Sequence, residues 1–397
     1  MRIMIANPFY VGPSMAGSAR LWEMVTYFSR RHEVILATSD MDYRTGKRYK
    51  PDQLCDYDEL AHVTLMVVPA CVYGKRSIAR GVREALFARS LSRIIGDLDG
   101  SIDCAVISSP PIFAMYCIPV AKRHRIRTIL EVRDPWPDAI EAQGVRIPRL
   151  LLDWLYTVER RGLESADCCV ALTDGIAEML RSKTRVPVVT IPNMAQTILD
   201  GSEIKHNTHP MRAVFAGSIG IGDGFPQFFI EVFNQLRGND RVAFAIYGDG
   251  PTRPEVEQAI SRMSNVQLMG SVARNEIARV LSQYQVAIMY THPGLYSRIG
   301  LYNKFIDYLG AGLPVILAGE PDGIMASILT EYQAGIVVSN EQPSEMATVL
   351  SELTQDVSTR RKWGSNAIAA AHDLFRPEKV MERYERVVMG ESWNVDW

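Results

Sequence analysis

Apolar and polar positions follow one another along the chain in a repeating order. A short β-branched or apolar run meets a turn rich in Gly, Pro, Asn or Asp, and an amphipathic stretch at helical spacing follows. In the first half, the runs at residues 2–6, 33–38, 63–69, 104–108, 128–132, 168–172 and 188–191 predict strands. Helices are predicted over 19–31, with Leu21, Met24, Val25 and Phe28 inward, and over 111–122, 150–164 and 173–180. The second half repeats the pattern, with strands at 213–216, 242–247, 266–269, 286–290, 315–317 and 336–338. Its helices fall at 225–236, 255–263 and 274–283, and three more close the chain at 343–353, 357–372 and 377–389. Strand and helix in alternation predict parallel sheets covered by helices, an α/β architecture.

Residues 201–210, GSEIKHNTHP, are polar and aperiodic. They predict a linker between domains at 1–200 and 211–375, with 376–397 a last helix long enough to cross back to the first domain. The length of 397 residues exceeds what one core usually spans, which agrees with two domains. A net charge of −2 argues against a general nucleic-acid binder. Six cysteines, at 55, 71, 104, 117, 168 and 169, show no paired metal spacing, and a reducing compartment is the simpler expectation. The start, MRIMIANPF, reads as a strand leading to a loop rather than a secretory leader. The most apolar window, 104–121, is interrupted by Ser108-Ser109 and Pro110-Pro111, so no membrane span is predicted and the expected location is cytoplasmic.

One helix qualifies that location. Residues 73–95 interleave Lys75, Arg76, Arg80, Arg83, Arg89 and Arg93 with Ile78, Val82, Leu86, Leu91 and Ile94. The apolar set is expected to face a sheet, leaving a basic face that is either solvated or in contact with anionic headgroups at the inner face of a membrane.

Candidate chemistry gathers where strands end, the place at which open parallel sheets bind ligands. The predicted strand at 128–132 runs into Arg133-Asp134-Pro135-Trp136-Pro137-Asp138, a charged loop held by two prolines. In the second half, Gly217-Ser218-Ile219-Gly220 is glycine-rich and leads towards a helix, a pattern able to cradle phosphates with backbone N–H groups. Gly248-Asp249-Gly250 and Gly270-Ser271 end the next two strands. Within SRIGLYNKFIDYLGAGLPVILAG, residues 297–319, Lys304 and Asp307 lie three apart on a helix that Gly310, Gly312 and Pro314 bring to an end.

Taken in order, these stretches carry a resemblance. NPFYVGPSMAGSAR, EVRDPWPD at 131–138, ALTDGI at 171–176, IPNM at 191–194, FAGSIG at 215–220, IYGDGP at 246–251 and YNKFIDYLGAGLPVI at 302–316 resemble the retaining glycosyltransferases of family 4. Among these, the chain looks like the bacterial transferases that add aminosugars during O-antigen, capsule or exopolysaccharide assembly. The resemblance implies the GT-B fold, two Rossmann-like domains facing each other across a cleft. It implies transfer of a sugar, such as an N-acetylated aminosugar, from a nucleotide diphosphate, with UDP the expected nucleotide, to a soluble or lipid-linked saccharide. No metal and no cofactor are expected.

By the same resemblance, Asp307 holds the ribose hydroxyls. Gly217, Ser218 and Gly220 face the pyrophosphate, Lys304 supplies positive charge to it, and Gly250, Gly270, Ser271 and Val272 border the base. Asp134 orients or deprotonates the acceptor hydroxyl, with Arg133 as a clamp, and Gly12, Gly17 and Arg20 lie on the acceptor side. Two departures stand out. The first acid of the family's Glu-x7-Glu pair falls on Ile299, and no basic residue follows Gly220 in Ile221-Gly222-Asp223-Gly224. Arg298 is the candidate to compensate. Two other readings of the fold remain: a non-catalytic binding or scaffolding subunit, and a sugar-nucleotide 2-epimerase, for which His292 and His124 are the nearest histidines.

Overall fold

Runs of Val, Ile, Leu, Ala and Cys form two all-parallel sheets in the computed structural model. It describes every residue except 10, 11, 13–19, 43–45, 47, 51–59, 71–76, 143–146, 201–208, 221–225 and 392–397. The first sheet contains β1 (Arg2–Ala6), β2 (Glu33–Ser39), β3 (Val63–Val68), β4 (Cys104–Ser109), β5 (Arg127–Val132), β6 (Cys168–Ala171) and β7 (Val188–Thr190), in the order β3-β2-β1-β4-β5-β6-β7. The second contains β8 (Met211–Ala216), β9 (Val242–Tyr247), β10 (Val266–Gly270), β11 (Val286–Tyr290), β12 (Val315–Ala318) and β13 (Gly335–Val338), in the order β10-β9-β8-β11-β12-β13. Each order reverses once, between β1 and β4 and between β8 and β11, and ligands of such sheets bind beyond the strand ends at that reversal.

The chain divides into two units. One holds Met1–Pro192 and the chain from Met381 on; the other is Asn193–Val380. Residues 193–200, expected with the first domain, pack in the second: Ala195 N donates to Phe375 O at 2.9 Å and Leu199 N to Gly310 O at 2.8 Å. Of the expected linker, 201–208 lies outside the described residues. The helix Ile324–Tyr332 joins the predicted set, while the expected helix at 274–283 is a 3-10 turn, Arg274–Glu276, followed by a short helix, Ile277–Leu281. Among the described residues, no helix is long and apolar enough to cross a membrane.

The basic helix is Ser77–Asp97, and its buried stripe differs from the predicted one. It buries Arg83, Glu84, Phe87, Ala88, Leu91 and Ile95, whereas Val82 is 44% exposed and Leu86 and Ile94 are half-buried. Residues 83, 87 and 91 recur at helical spacing as well as the expected set does. Leu91 is buried as expected, while charge hid Arg83 and Glu84, which line a recess with Pro8, Phe9, Met41 and Val68. Arg89 and Arg93 are exposed, and the side chains of Lys75, Arg76, Ile78 and Arg80 lie outside the described residues.

Arg20 is corrected most sharply. Expected beside an acceptor, it is buried in the first unit, with its side chain and that of Glu131 each 2% exposed. Its Nε donates to Glu131 Oε1 at 2.8 Å, Nη1 to Pro192 O at 2.7 Å and Nη2 to Ile191 O at 3.3 Å. Ser108 Oγ donates to Glu131 Oε2 at 2.7 Å, and Tyr384 Oη to Oε1 at 3.2 Å. One ionic knot therefore joins the Arg20–Phe28 helix, β4, β5, the chain after β7 and the Pro377–Met389 helix. Burial alone would push the Glu131 carboxyl up, but Arg20, Arg133 and the Ser108 hydroxyl hold it below the usual carboxylate range. Its contribution to stability is thus present above that range and lost as pH falls through the lowered value. Arg20→Met should cost about 3–5 kcal/mol in a denaturant melt, because Glu131 stays buried without its cation, and R20M/E131Q should recover part of that loss. A double variant less stable than R20M would contradict this account.

Candidate active site

In the second unit, three strand ends are tied backbone to backbone. Gly217 N donates to Tyr247 O at 3.0 Å, Ile219 N to Asp249 O at 3.1 Å, and Gly248 N to Gly270 O at 2.8 Å. Thr252 closes the knot, its N and Oγ1 both donating to Ile219 O, at 3.2 and 2.8 Å. Side chains have no room at two of these positions. A Cβ on Gly248, whose φ is +134°, would lie 1.8 Å from Gly217 O, and one on Gly250 would lie 2.2 Å from Ile219 O. Gly250 N–H is taken up locally by Asp249 Oδ1 at 2.8 Å.

The Asn303–Gly310 helix delivers charge to this place. Lys304 Nζ lies 4.7 Å from the centroid of Phe215 on β8 and 5.7 Å from that of Tyr302. A Cβ on Gly217 would come within 3.1 Å of Lys304 Cδ and 3.3 Å of its Nζ, so the lysine rests on the bare glycine. Tyr308, fully buried in the same helix, accepts from Ala216 N at 2.7 Å and donates to Ala216 O at 3.2 Å. That clamp fixes the helix to the end of β8. Gly310 admits the 193–200 segment, since a Cβ there would lie 2.6 Å from Thr197 O, and Gly312 takes the left-handed turn at φ +66°. Lys304, Gly217, Gly250 and Gly270 are thus brought together, with Ser218 and Gly220 on the same loop. Residues 221–225, including Asp223, lie outside the described residues.

Asp307 has a partner that sequence reasoning missed. Arg274 Nη1 donates to its Oδ2, and the two side chains are 9% and 8% exposed. Arg274 opens the 3-10 turn after Gly270-Ser271-Val272, so the pair links the expected base-bordering stretch to the expected ribose carboxylate. An arginine four residues past a strand-end glycine was the available signal. Arg298 is placed differently from expectation: 57% exposed, its Nε sits 3.2 Å from Glu320 Oε2 and 3.4 Å from Asp322 Oδ2. Two carboxylates share its charge there. Ile299 ends the short helix Leu295–Ile299 and is half-buried.

In the first unit, the Arg133–Asp138 loop leaves the end of β5 directly after the Glu131 knot. Arg133 N donates to Ser109 O at 2.8 Å and Trp136 N to Asp134 O at 2.9 Å. Arg133 and Asp134 are half-buried, between the buried end of β5 and the buried Pro135. The far end of the loop is held by Lys183, which bonds Asp138 and also donates to Glu159 at 2.8 and 3.0 Å. Gly12 is buried, and Gly17 lies outside the described residues. Of the histidines, His292 is exposed beside Pro293 O at 3.2 Å. His124 pairs with Asp99 at 3.1 Å and precedes β5, at the edge of the sheet opposite the strand ends. That position counts against the epimerase reading. Among the described residues no group of three or more His, Cys, Asp or Glu could hold a metal ion.

A family described as "Glycosyl transferase 4-like domain" matches residues 17–194, and one described as "Glycosyl transferases group 1" matches residues 211–356. The chain is 24% identical over 228 residues to the alpha-D-kanosaminyltransferase of Streptomyces kanamyceticus; the match spans 53% of this chain and about half, 56%, of that relative. Its fold is similar to HepE of Anabaena in complex with UDP, with TM-score 0.69 and 12% identity over 98% of this chain and 100% of that one. It is also similar to sucrose-phosphate synthase from Thermosynechococcus elongatus, with TM-score 0.73 and 13% identity over 98% of each chain.

Two outcomes follow from the site's construction. Gly250→Ala should lower the melting temperature, at about 1–3 kcal/mol, because a backbone oxygen must move aside. Gly220→Ala, where a Cβ would meet only Ser218 Oγ at 3.6 Å, should melt as wild type does. Equal melting of the two variants would contradict the knot. The second outcome concerns pH. Burial pushes the Glu159 carboxyl, only 3% exposed, up to about 7, with Asp138 adding to the rise and Lys183 opposing it. A raised acid stabilises the fold fully below its ordinary value near 4.5 and loses that contribution as pH passes about 7. Melting curves from pH 5 to 8 should therefore fall by something on the order of 3 kcal/mol in wild type and much less in Glu159→Gln. Parallel curves would refute the assignment.

Proposed function

Because the chain belongs to the family-4-like glycosyltransferases and has the GT-B fold, we propose that it transfers a sugar from a nucleoside diphosphate to a saccharide acceptor, soluble or lipid-linked, with retention of configuration. The observation that carries the reading is the Lys304 ammonium resting on Gly217, at the end of the strand beside which the second sheet reverses. A diphosphate leaving group gains negative charge as the glycosidic bond breaks. A fixed cation and oriented backbone N–H groups at that point stabilise the transition state more than the ground state. UDP is the nucleotide favoured, since the similar Anabaena protein is a UDP complex, and the kanosaminyl relative favours an aminosugar.

In this reading Asp307 takes the ribose hydroxyls, giving orientation more than rate. Asp134 orients or deprotonates the acceptor hydroxyl, and Arg133 clamps an acceptor phosphate or hydroxyl. Lys304 supplies the charge that a metal supplies in other phosphate sites, so the reaction is taken to run without one.

The test is incubation with UDP-, GDP- and TDP-sugars, with and without chelator, following nucleotide release and transfer to saccharides. One donor should be consumed at a rate that chelator leaves unchanged. Lys304→Ala and Asp134→Ala should each lower that rate by about a hundredfold or more. Wild-type protein that binds no nucleotide at millimolar concentration would sink the proposal; nucleotide binding without turnover would favour the non-catalytic subunit instead.

A further inference from the structure

We propose that Arg274 is a positioning residue for the donor, holding and neutralising the Asp307 carboxylate so that a nucleoside diphosphate can bind beside it. The inference rests on the reading of Asp307 as the ribose contact and adds to it the condition under which that contact works.

The problem is one of like charges. Asp307 lies one helical turn from Lys304, whose ammonium marks where the diphosphate charge would sit. An anionic carboxylate that close, only 8% exposed, would repel the ligand through a poorly screened medium. Protonating the carboxyl would remove the repulsion but also the acceptor that ribose hydroxyls need. A buried guanidinium solves both difficulties, because it stays charged at any working pH and leaves the carboxylate an acceptor.

The geometry fits that division. Arg274 bonds Oδ2 through Nη1, and among the described residues no hydrogen bond is made to Asp307 Oδ1. That oxygen remains to accept from hydroxyls. Arg274 itself is fixed at the start of the 3-10 turn that follows β10, and it is buried. The arrangement is built before any ligand arrives. The Arg274 side chain also ties Asp307 to the chain that follows Gly270–Val272, so carboxylate and base border are linked through one residue.

The experiment compares ligands that differ in charge but share a nucleoside. UDP binding is measured by calorimetry and uridine binding by ligand-observed NMR, for wild type, Arg274→Met, Arg274→Lys and the double variant Arg274→Met with Asp307→Asn. Arg274→Met should weaken UDP at least tenfold and uridine less than threefold. Arg274→Lys should restore most of the UDP affinity, and removing the carboxylate charge in the double variant should recover at least threefold over Arg274→Met. A structural role alone would weaken UDP and uridine equally, and that result would overturn the assignment while leaving the donor site intact. If Arg274→Met fails to fold, Arg274→Gln takes its place: UDP and uridine affinities that fall together overturn the proposal, and a loss confined to UDP that Arg274→Lys does not show supports it. A wild type that binds neither ligand would remove the UDP-donor reading and this inference together.

Discussion

The first unit depends on an ion pair taken almost wholly out of water. Arg20 and Glu131 could not be buried singly, since an isolated charge in that environment would cost more than the fold's whole margin. They are tolerated because every strong acceptor and donor around them is matched: two backbone carbonyls for the guanidinium, a serine and a tyrosine hydroxyl for the carboxylate. Such a cluster adds little net stability over a well-packed apolar core. What it adds is place. Strand β5 can lie in only one register against the Arg20–Phe28 helix, and the Arg133–Asp138 loop begins two residues beyond the pinned Glu131. The candidate acceptor chemistry inherits its position from a pair that never touches an acceptor.

The second unit reaches the same end by the opposite means. Its loops are placed by contact between bare backbones, with glycines where a methyl group would collide, and charge enters only afterwards on the Asn303–Gly310 helix. Among the described residues, Arg274 with Asp307 repeats the buried-pair device there, beside the expected ligand rather than in the core.

Local pattern made most of the fold legible. Strands β1, β9 and β11 and the helices Pro343–Leu353 and Pro377–Met389 begin and end where periodicity places them, because each buries a stripe that spacing alone reveals. Spacing fails where a charged side chain is the buried one. Arg20 reads from sequence as an acceptor-side residue because its partner stands 111 residues away and no local signal joins them. The Ser77–Asp97 helix buries Leu91 where spacing places it, but the rest of its inner stripe contains Arg83 and Glu84, which spacing does not single out. At the candidate site, motifs found the glycines, Lys304 and Asp307, since these are fixed by local turns and one helix. Arg274 and the second engagement of Arg298 depend on which loop faces which, and that is settled only when the sheet closes its order.

The glycine knot has a consequence for how such a protein can change over generations. Positions 217, 248 and 250 are crowded by neighbouring backbone or side-chain atoms, so substitutions there are selected against before any question of substrate arises. Fewer such constraints bear on the neighbouring positions His292, Pro293 and Arg298, which are exposed, and on the half-buried Ile299. A lineage of these chains would keep one rigid nucleotide seat and vary beside it. New sugar preferences would arise there without renegotiating the fold.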